Sequence, residues 1–500
     1  MTARVTALAL PIAATLCVLA VQGASRTYTE PGLRIASQAE RLRDVPPGTS
    51  LRATLTDAEP PLPGVVAGLV LRRLTTTAPD APLLAGARAS ALAAILALVV
   101  LGVVARRELG NLGAALAVGF TLLSPGWLLL ARSPGPEALL SLGWALMLAG
   151  AVTQASNLGA ALATAGLAVL VSSHGEAAVA GLAWLLWALL NRPPETSARP
   201  GLLVTAPARP AVLVPLVLAP LLLVVAWPHL HEEPVKRLFA LVTRGFGGET
   251  PPVAVLGTAL DDVTGGGPSF VAALFLCASR MALPLVALAG AGVVVRAFAH
   301  PGARFAALGL GAVLVTRSLT GGPLRDGVDA LGAASPLLAW LAASGLLAAL
   351  GHPALSVRIR GGAVVAVAAV LVVDLAAHFP NESLTGSAAF GGLSRLAAHT
   401  DIIQAPVLTD DMLSALDGTL PDRARLAFEP GGARYRPMID TLIRYGRLGH
   451  QIESADTYHA THTATVRWLG APGWPVQHTL AAPAFVLTSS GVPILALFER

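Results

Sequence analysis

The sequence predicts an α-helical polytopic membrane protein that carries a small α/β domain at its C-terminal end. Three observations predict it. Eleven mostly apolar stretches, each about long enough to cross a bilayer, fill the chain from Val5 to Phe379. A spanning helix needs roughly 20 apolar residues, and only helices or closed barrels satisfy their backbone in lipid. Only 13% of the residues are charged and 54% are hydrophobic, against about 25% charged in a soluble domain; mean hydropathy is +0.67. Finally, arginines gather on alternate connections between the stretches, the asymmetry that orients membrane proteins.

The spans fall near 5–24, 87–105, 111–131, 137–155, 157–173, 176–190, 211–228, 269–295, 303–319, 332–350 and 361–379. With the N-terminus inside, the inner connections hold Arg4, Arg106-Arg107, Arg192, Arg199 and Arg209, Arg296 and Arg304, and Arg358 and Arg360. The opposite orientation leaves no such pattern, so the N-terminus is expected to be cytoplasmic. Lysine occurs once, at Lys236, in a chain rich in Ala, Gly and Arg. That composition suggests a bacterial source and a bacterial inner (plasma) membrane location.

This divides the chain into a membrane domain, 1–379, and an extracytoplasmic domain, 380–500. Two outer connections inside the membrane domain are large, 25–86 and 229–269. In the first, Leu33, Ile35, Ala36, Ala39 and Leu42 recur near helical spacing between Arg34, Gln38, Glu40, Arg41 and Arg43. That is the pattern of an amphipathic helix lying on a membrane surface. A second apolar run, Leu62 to Leu74, is too short to span comfortably and suits the interface. The tail mixes β-like runs at Ala405–Leu408, Ala464–Leu469, Ala484–Thr488 and Pro493–Phe498 with a helical stretch from Met438 to Leu448. Ser489-Ser490-Gly491 reads as a hairpin turn.

Several classes are excluded or disfavoured. The net charge of +5 is spread over short loops and forms no basic stripe, so no nucleic-acid partner is expected. Cys17 and Cys277 lie inside apolar spans and form neither a disulfide framework nor a metal site. The run His229-Leu230-His231-Glu232-Glu233 lacks the spacing of zinc motifs, and no divalent metal is expected. The glycines near 245–248 and 265–267 sit in no strand–helix context and are not a phosphate loop. A transporter would show mid-span charges and internal repeats; Arg280 is the main such charge and no repeat is evident.

The order of the pieces resembles the GT-C glycosyltransferases, relatives of the protein mannosyltransferases and lipid A aminoarabinose transferases. The matching text is one span, then Tyr28-Thr29-Glu30-Pro31-Gly32-Leu33, Ala36 to Leu42, and Glu59-Pro60-Pro61-Leu62. It continues with Arg88, Arg106-Arg107, Ala131-Arg132-Ser133, Glu137-Ala138-Leu139-Leu140, and Gly166-Leu167-Ala168 through Ser173-His174-Gly175. Late in the chain Arg325-Asp326 precedes Pro336 and Trp340. The resemblance spans about residues 1–350. Departures are Glu30 where the family usually has Asp, His174 where Lys is common, Asp326 where a tyrosine follows the arginine, and one acid in place of an acidic pair.

The resemblance implies transfer of a sugar from a polyprenyl-phosphate carrier to an extracytoplasmic acceptor, a cell-envelope glycan, lipid or protein. The implied partners are the lipid-linked sugar donor, the acceptor and membrane lipids; no other cofactor is called for. Such chemistry needs a carboxylate to take or position the acceptor proton and cations to hold the departing phosphate. Glu30 is the candidate base and Glu137 a second acid; each sits beside prolines, as a helix N-terminal acid would. Asp57 and Glu59 are rival acids. Arg325 is the candidate phosphate clamp, because a guanidinium forks onto phosphate oxygens. Arg132, Arg317, Arg244 and His174 are secondary candidates. The alternatives are a catalytically degenerate binding or assembly subunit of the same fold, which the departures motivate, and a transporter.

Overall fold

The computed structural model describes residues 27–43, 61–74, 78–153, 156–174, 179–191, 210–244, 253–255, 258–260, 270–272, 274–275, 281–297, 299–319, 329–378, 407–419, 425–429, 439–448, 451–452, 464–468, 483, 485–489 and 492–499. The expected span at 5–24 lies outside them.

A short strand, β1 (Thr27–Thr29), leads into helices α1 (Glu30–Arg43), α2 (Leu62–Arg73) and α3 (Ala81–Leu122). The stripe read from the sequence is the buried face of α1: Leu33, Ile35, Ala36, Ala39 and Leu42 are all buried, while Arg34, Arg41 and Arg43 are exposed. That face does not lie open on lipid as expected. Ile35 and Ala39 pack with Ala67 and Leu71 of α2 and with Ala81, Ala85 and Ala89 of α3. Protein atoms at close-packed density replace the membrane as its apolar partner.

Helix α3 runs for 42 residues, about 63 Å if straight, which is twice a bilayer. It is not straight. Gly110 adopts φ 76, ψ −174, a conformation essentially restricted to glycine. A Cβ built on Gly102 would lie 3.3 Å from Val118, so the two arms fold back on each other. The arms correspond to the expected spans at 87–105 and 111–131. The second arm, however, ends at Leu122. Ser124 is extended and Pro125 opens a separate helix, α4 (Pro125–Arg132), because proline donates no N–H and clashes with a preceding turn. Helices α4 and α5 (Glu137–Thr153) then meet at 119°.

Next come α6 (Asn157–Ser173), α7 (Val179–Leu190), α8 (Pro210–Ala226), α9 (Pro234–Arg244), α10 (Leu283–Arg296), α11 (Pro301–Leu319), α12 (Ser335–Leu350) and α13 (Val357–His378). The remaining expected spans fall on these helices, except that only the second half of 269–295 does: α10 begins at Leu283, after a bend at Met281. By length and composition, four described helices can cross a membrane alone: Ala81–Leu122, Pro301–Leu319, Gly332–Leu350 and Val357–Ala376. The bent pair α4–α5 makes a fifth, and Asn157–Ser173, Val179–Leu190, Leu213–Ala226 and Leu283–Arg296 are apolar but shorter. Small residues let the helices touch, as in membrane bundles: a Cβ on Gly292 or Gly345 would meet the carbonyl of Leu341 or Leu288 at 2.1 or 2.0 Å. Aromatics fill the centre. Trp184 stacks on Trp187 with centroids 4.6 Å apart, and both meet Phe305 edge-on at 5.8 and 6.4 Å.

One end of the bundle gathers the expected inner connections. Arg304 donates to the Leu190 carbonyl and to Asn191, each at 3.1 Å. His300 Nδ1 lies 3.6 Å from the Glu108 carboxylate and its Nε2 lies 2.8 Å from Arg296. Burial, then the Arg296 charge, hold the His300 imidazole below its ordinary pKa. The Gly110 turn and the α7 and α10 C-terminal ends therefore share one end with the start of α11.

The tail contributes β4 (Val407–Thr409), an α14 helix (Asp410–Thr419), β5 (Arg425–Glu429), β6 (Gln451–Ile452), β7 (Ala464–Trp468), β8 (Phe485–Ser489) and β9 (Val492–Glu499); β2 (Val253–Val255) and β3 (Thr258–Leu260) pair between α9 and α10. Strands β5 to β9 form a mixed sheet in the order β6-β5-β7-β9-β8. The β-like runs read from the sequence match β4, β7, β8 and β9. Ser489 pairs with Val492 across β8 and β9, the register of the expected hairpin.

Candidate functional site

The opposite end of the bundle is where α5 and α7 begin and α6 and α11 end. A cleft opens there, lined by Glu137, Leu140, Trp144, His174, Val179, Val313, Thr316, Arg317, Ala333 and Ala334. The space between its walls and out to its open mouth is about 580 Å³. Leu140, Trp144, Val179 and Val313 give it an apolar lining. Glu137, His174 and Arg317 add a carboxylate, an imidazole and a guanidinium from the start of α5, the residue after α6 and the last turn of α11. Glu137, His174 and Arg317, all singled out from the sequence, converge here. Arg317 is buried at 7% exposure, in the last turn of α11.

The start of α5 is fixed by a buried turn, 133–136. Ser90 of α3 grips it twice. Its hydroxyl donates to the Gly135 carbonyl at 3.3 Å and accepts from the Gly135 N–H at 3.2 Å. An added Cβ on Gly135 would lie 2.0 Å from Glu137 Oε2, so a side chain there would displace that carboxylate. Deeper in α5, Trp127 Nε1 donates to Ser141 at 3.1 Å.

The same turn receives the N-terminal turn of α1. A Cβ on Gly32 would stand 1.9 Å from the Pro134 carbonyl oxygen, so the backbones meet there directly. Gly32 is two residues past Glu30, and Pro134 is three before Glu137. Glu30 is the first residue of α1. The fold thus sets the backbone carrying Glu30 beside the turn that presents Glu137.

The other candidates distribute as follows. Arg132 ends α4 and is buried at 1% exposure, but is not among the residues lining the cleft. Arg325, Asp57 and Glu59 lie outside the described residues, as do the side chains of Glu30 and Arg244. Arg317 and Ala333, either side of the segment that holds Arg325, both line the cleft. In the His229–Glu233 run, His231 Nε2 lies 2.9 Å from the Val224 carbonyl. Glu233 pairs with Lys236 at 3.0 Å and Glu232 pairs with Arg237. Among the described residues no three His, Cys, Asp or Glu side chains converge on a metal-sized point.

Trp144, Thr316 and Ser90 were not picked out from the sequence. A signal existed for the first: Glu137, Leu140 and Trp144 are spaced i, i+3, i+7, one stripe of a helix. Ser90 carried none, since its partner is a backbone group 45 residues away.

No family model matches the chain. No curated protein matches it either. Solved structures do. The archaeal oligosaccharyltransferase of Archaeoglobus fulgidus, tethered to an acceptor peptide containing the NVT sequon, aligns at TM-score 0.50 and 10% identity. That alignment covers 92% of this chain and 68% of the other. ArnT from Cupriavidus metallidurans bound to undecaprenyl phosphate aligns at TM-score 0.49 and 16% identity, over 98% of this chain and 97% of that one. The archaeal oligosaccharyltransferase AglB from Archaeoglobus fulgidus, in complex with an inhibitory peptide and a dolichol-phosphate, aligns at 0.48 and 11%, over 92% and 69%. The chain is a polytopic membrane protein with the GT-C fold, the fold expected from the order of its sequence elements.

Proposed function

We propose that the protein is an integral-membrane glycosyltransferase that moves a sugar from a polyprenyl-phosphate carrier to an extracytoplasmic acceptor. One observation carries the reading: a single cleft is lined by Glu137, His174 and Arg317 together with the apolar Leu140, Trp144, Val179 and Val313. An isoprenoid phosphate has the matching halves, an apolar chain and a dianionic head. A fold shared with an oligosaccharyltransferase is compatible with this class and names neither sugar nor acceptor.

In the reaction the acceptor hydroxyl oxygen attacks the anomeric carbon of the donor sugar. The bond from that carbon to the phosphate oxygen breaks, and its electron pair leaves with the polyprenyl phosphate. The acceptor proton passes to a carboxylate; Glu30 takes that role and Glu137 orients the acceptor or the base. Arg317 and His174 hold the phosphate as negative charge gathers on it, with Arg325 as a further clamp and Arg132 supporting the buried turn before Glu137. In a site shielded from water such fixed charges act far more strongly than in solution. Asp57 and Glu59 are assigned to acceptor contacts on the first outer connection.

The test is transfer by the purified protein in lipid nanodiscs, using a panel of radiolabelled polyprenyl-phosphate sugars. Arg317→Ala is expected to weaken binding of polyprenyl phosphate and slow transfer about 100-fold, the usual cost of removing one charge-stabilising donor. Glu137→Gln is expected to lower the rate with little change in carrier binding. Wild-type protein that neither binds polyprenyl phosphate nor transfers sugar overturns the reading.

A further inference from the structure

The tail grips the first outer connection at three separate points. Strand β4 pairs antiparallel with β1, matching Thr27 to Thr409, Tyr28 to Leu408 and Thr29 to Val407. These two strands form a sheet of their own, and β1 ends where Glu30 begins. Leu408 is fully buried. Thr409 holds the strand end in place by accepting the Met412 N–H on its hydroxyl at 3.3 Å.

The second point lies ten residues further along α1. Glu40 accepts from Arg444 at 2.9 Å and from the Tyr445 hydroxyl at 3.3 Å. Arg444 also lies over the Tyr445 ring at 5.9 Å, and Tyr445 is buried at 2% exposure. The third point is Arg447, paired at 3.1 Å with Asp80, the residue before α3. From the other side α1 rests on the Pro134 turn that presents Glu137. The helix that begins with Glu30 thus contacts both the tail and the turn before α5.

We infer that the tail is a positioning element for the start of α1, which carries Glu30: Tyr445 and Arg444 act through Glu40, and β4 acts through β1, to hold that start against the Pro134 turn. This rests on the transferase reading above. It gives the tail a part in the chemical step without placing any of its residues in contact with substrate. Exposed ion pairs are weak on their own, as Arg444 is here. The strand pairing and the buried tyrosine are therefore the parts of the grip that matter most.

The experiment loosens the grip and then restores it covalently. Tyr445→Ala, made in full-length protein with Cys17 and Cys277 changed to alanine, is expected to lower kcat about tenfold or more, because misplacement by about 1 Å costs on the order of 100-fold. The KM for donor is expected to hold, since Arg317 and His174 are untouched. Adding Thr29→Cys and Val407→Cys joins the two strands; paired residues in an antiparallel ladder lie about 4.5–5.5 Å apart at Cα, within disulfide range. Oxidation with copper phenanthroline is expected to return kcat towards wild type, and dithiothreitol to remove it again. A purely structural role for Tyr445 would not give that reversible rescue. Should Tyr445→Ala fail to fold, Glu40→Ala, which removes the acceptor of both contacts, takes its place. Wild-type kcat in the loosened variants, or a cross-link that forms without restoring them, overturns this inference alone. Absence of transfer by the wild type overturns the transferase reading and this inference with it.

Discussion

Gly32→Ala tests the geometry of the cleft with a single methyl group. The added Cβ would lie 1.9 Å from the Pro134 carbonyl oxygen and 2.8 Å from Pro134 Cγ. Ordinary contact begins at 3.4 Å, so the approach is short by 1.5 Å. The obstructing atom is backbone and cannot swing away. The turn that carries it is pinned by both hydrogen bonds from Ser90. The α1 N-terminal turn must therefore retreat, and Glu30 with it, by more than an ångström. Overpacking of this kind costs about 1–3 kcal/mol of stability, partly offset by the roughly 0.5–1 kcal/mol that alanine gains over glycine in a helix. On the mechanism proposed above, with Glu30 as base, the catalytic cost is larger: a 1 Å misplacement of a reacting group is worth about 100-fold in rate. Gly311→Ala, on α11 where nothing lies within 4 Å of the new Cβ, is the matched control and is expected to be neutral. Both variants are to be assayed by single-turnover transfer from a radiolabelled polyprenyl-phosphate sugar and by thermal unfolding. A Gly32→Ala protein that transfers at the wild-type rate would refute the placement of Glu30 beside the Pro134 turn as the catalytic arrangement.

Two further outcomes follow from the geometry. Gly110→Ala at the α3 fold-back, where φ is 76, is expected to lose about 1–3 kcal/mol, read as a lower unfolding temperature in detergent; an unchanged temperature would mean that the arms do not reverse at Gly110. Burial, reinforced by the Glu40 carboxylate, pushes the Tyr445 phenol up to about 12. A group whose folded pKa is raised contributes stability that is intact below its unfolded value, near 10, and is lost as pH rises through the folded one. Tail docking is therefore expected to be flat with pH through the neutral range and to weaken between pH 10 and 12. Tyr445→Phe is expected to abolish that alkaline transition, and its persistence in the variant would assign it to another group.

Much of the fold was legible because lipid allows few solutions. Runs of apolar residues near bilayer length had to be helices, and the expected spans from 87 onward fall on them, those at 111–131 and 269–295 only in part. The α1 stripe was correct residue by residue, since period 3.6 marks a buried face whatever buries it. What buries it was not legible, and α2 and α3 took the place of lipid. The expected span at 111–131 was divided at Ser124-Pro125, a proline break that hydropathy averages away. In the site, Glu137, His174 and Arg317 could each be named from the sequence, yet each had an ordinary reading as a helix-end charge.

The sequence by itself determined the class of structure, the ends at which charges gather and the amphipathic faces, because hydropathy and helical periodicity are local properties of a chain in a bilayer. The tertiary structure decided that three helix ends 37 to 180 residues apart share one cleft. It also decided that a tail strand pairs with the three residues before Glu30. Those contacts follow from close packing and backbone hydrogen bonding between distant segments, which no local pattern records.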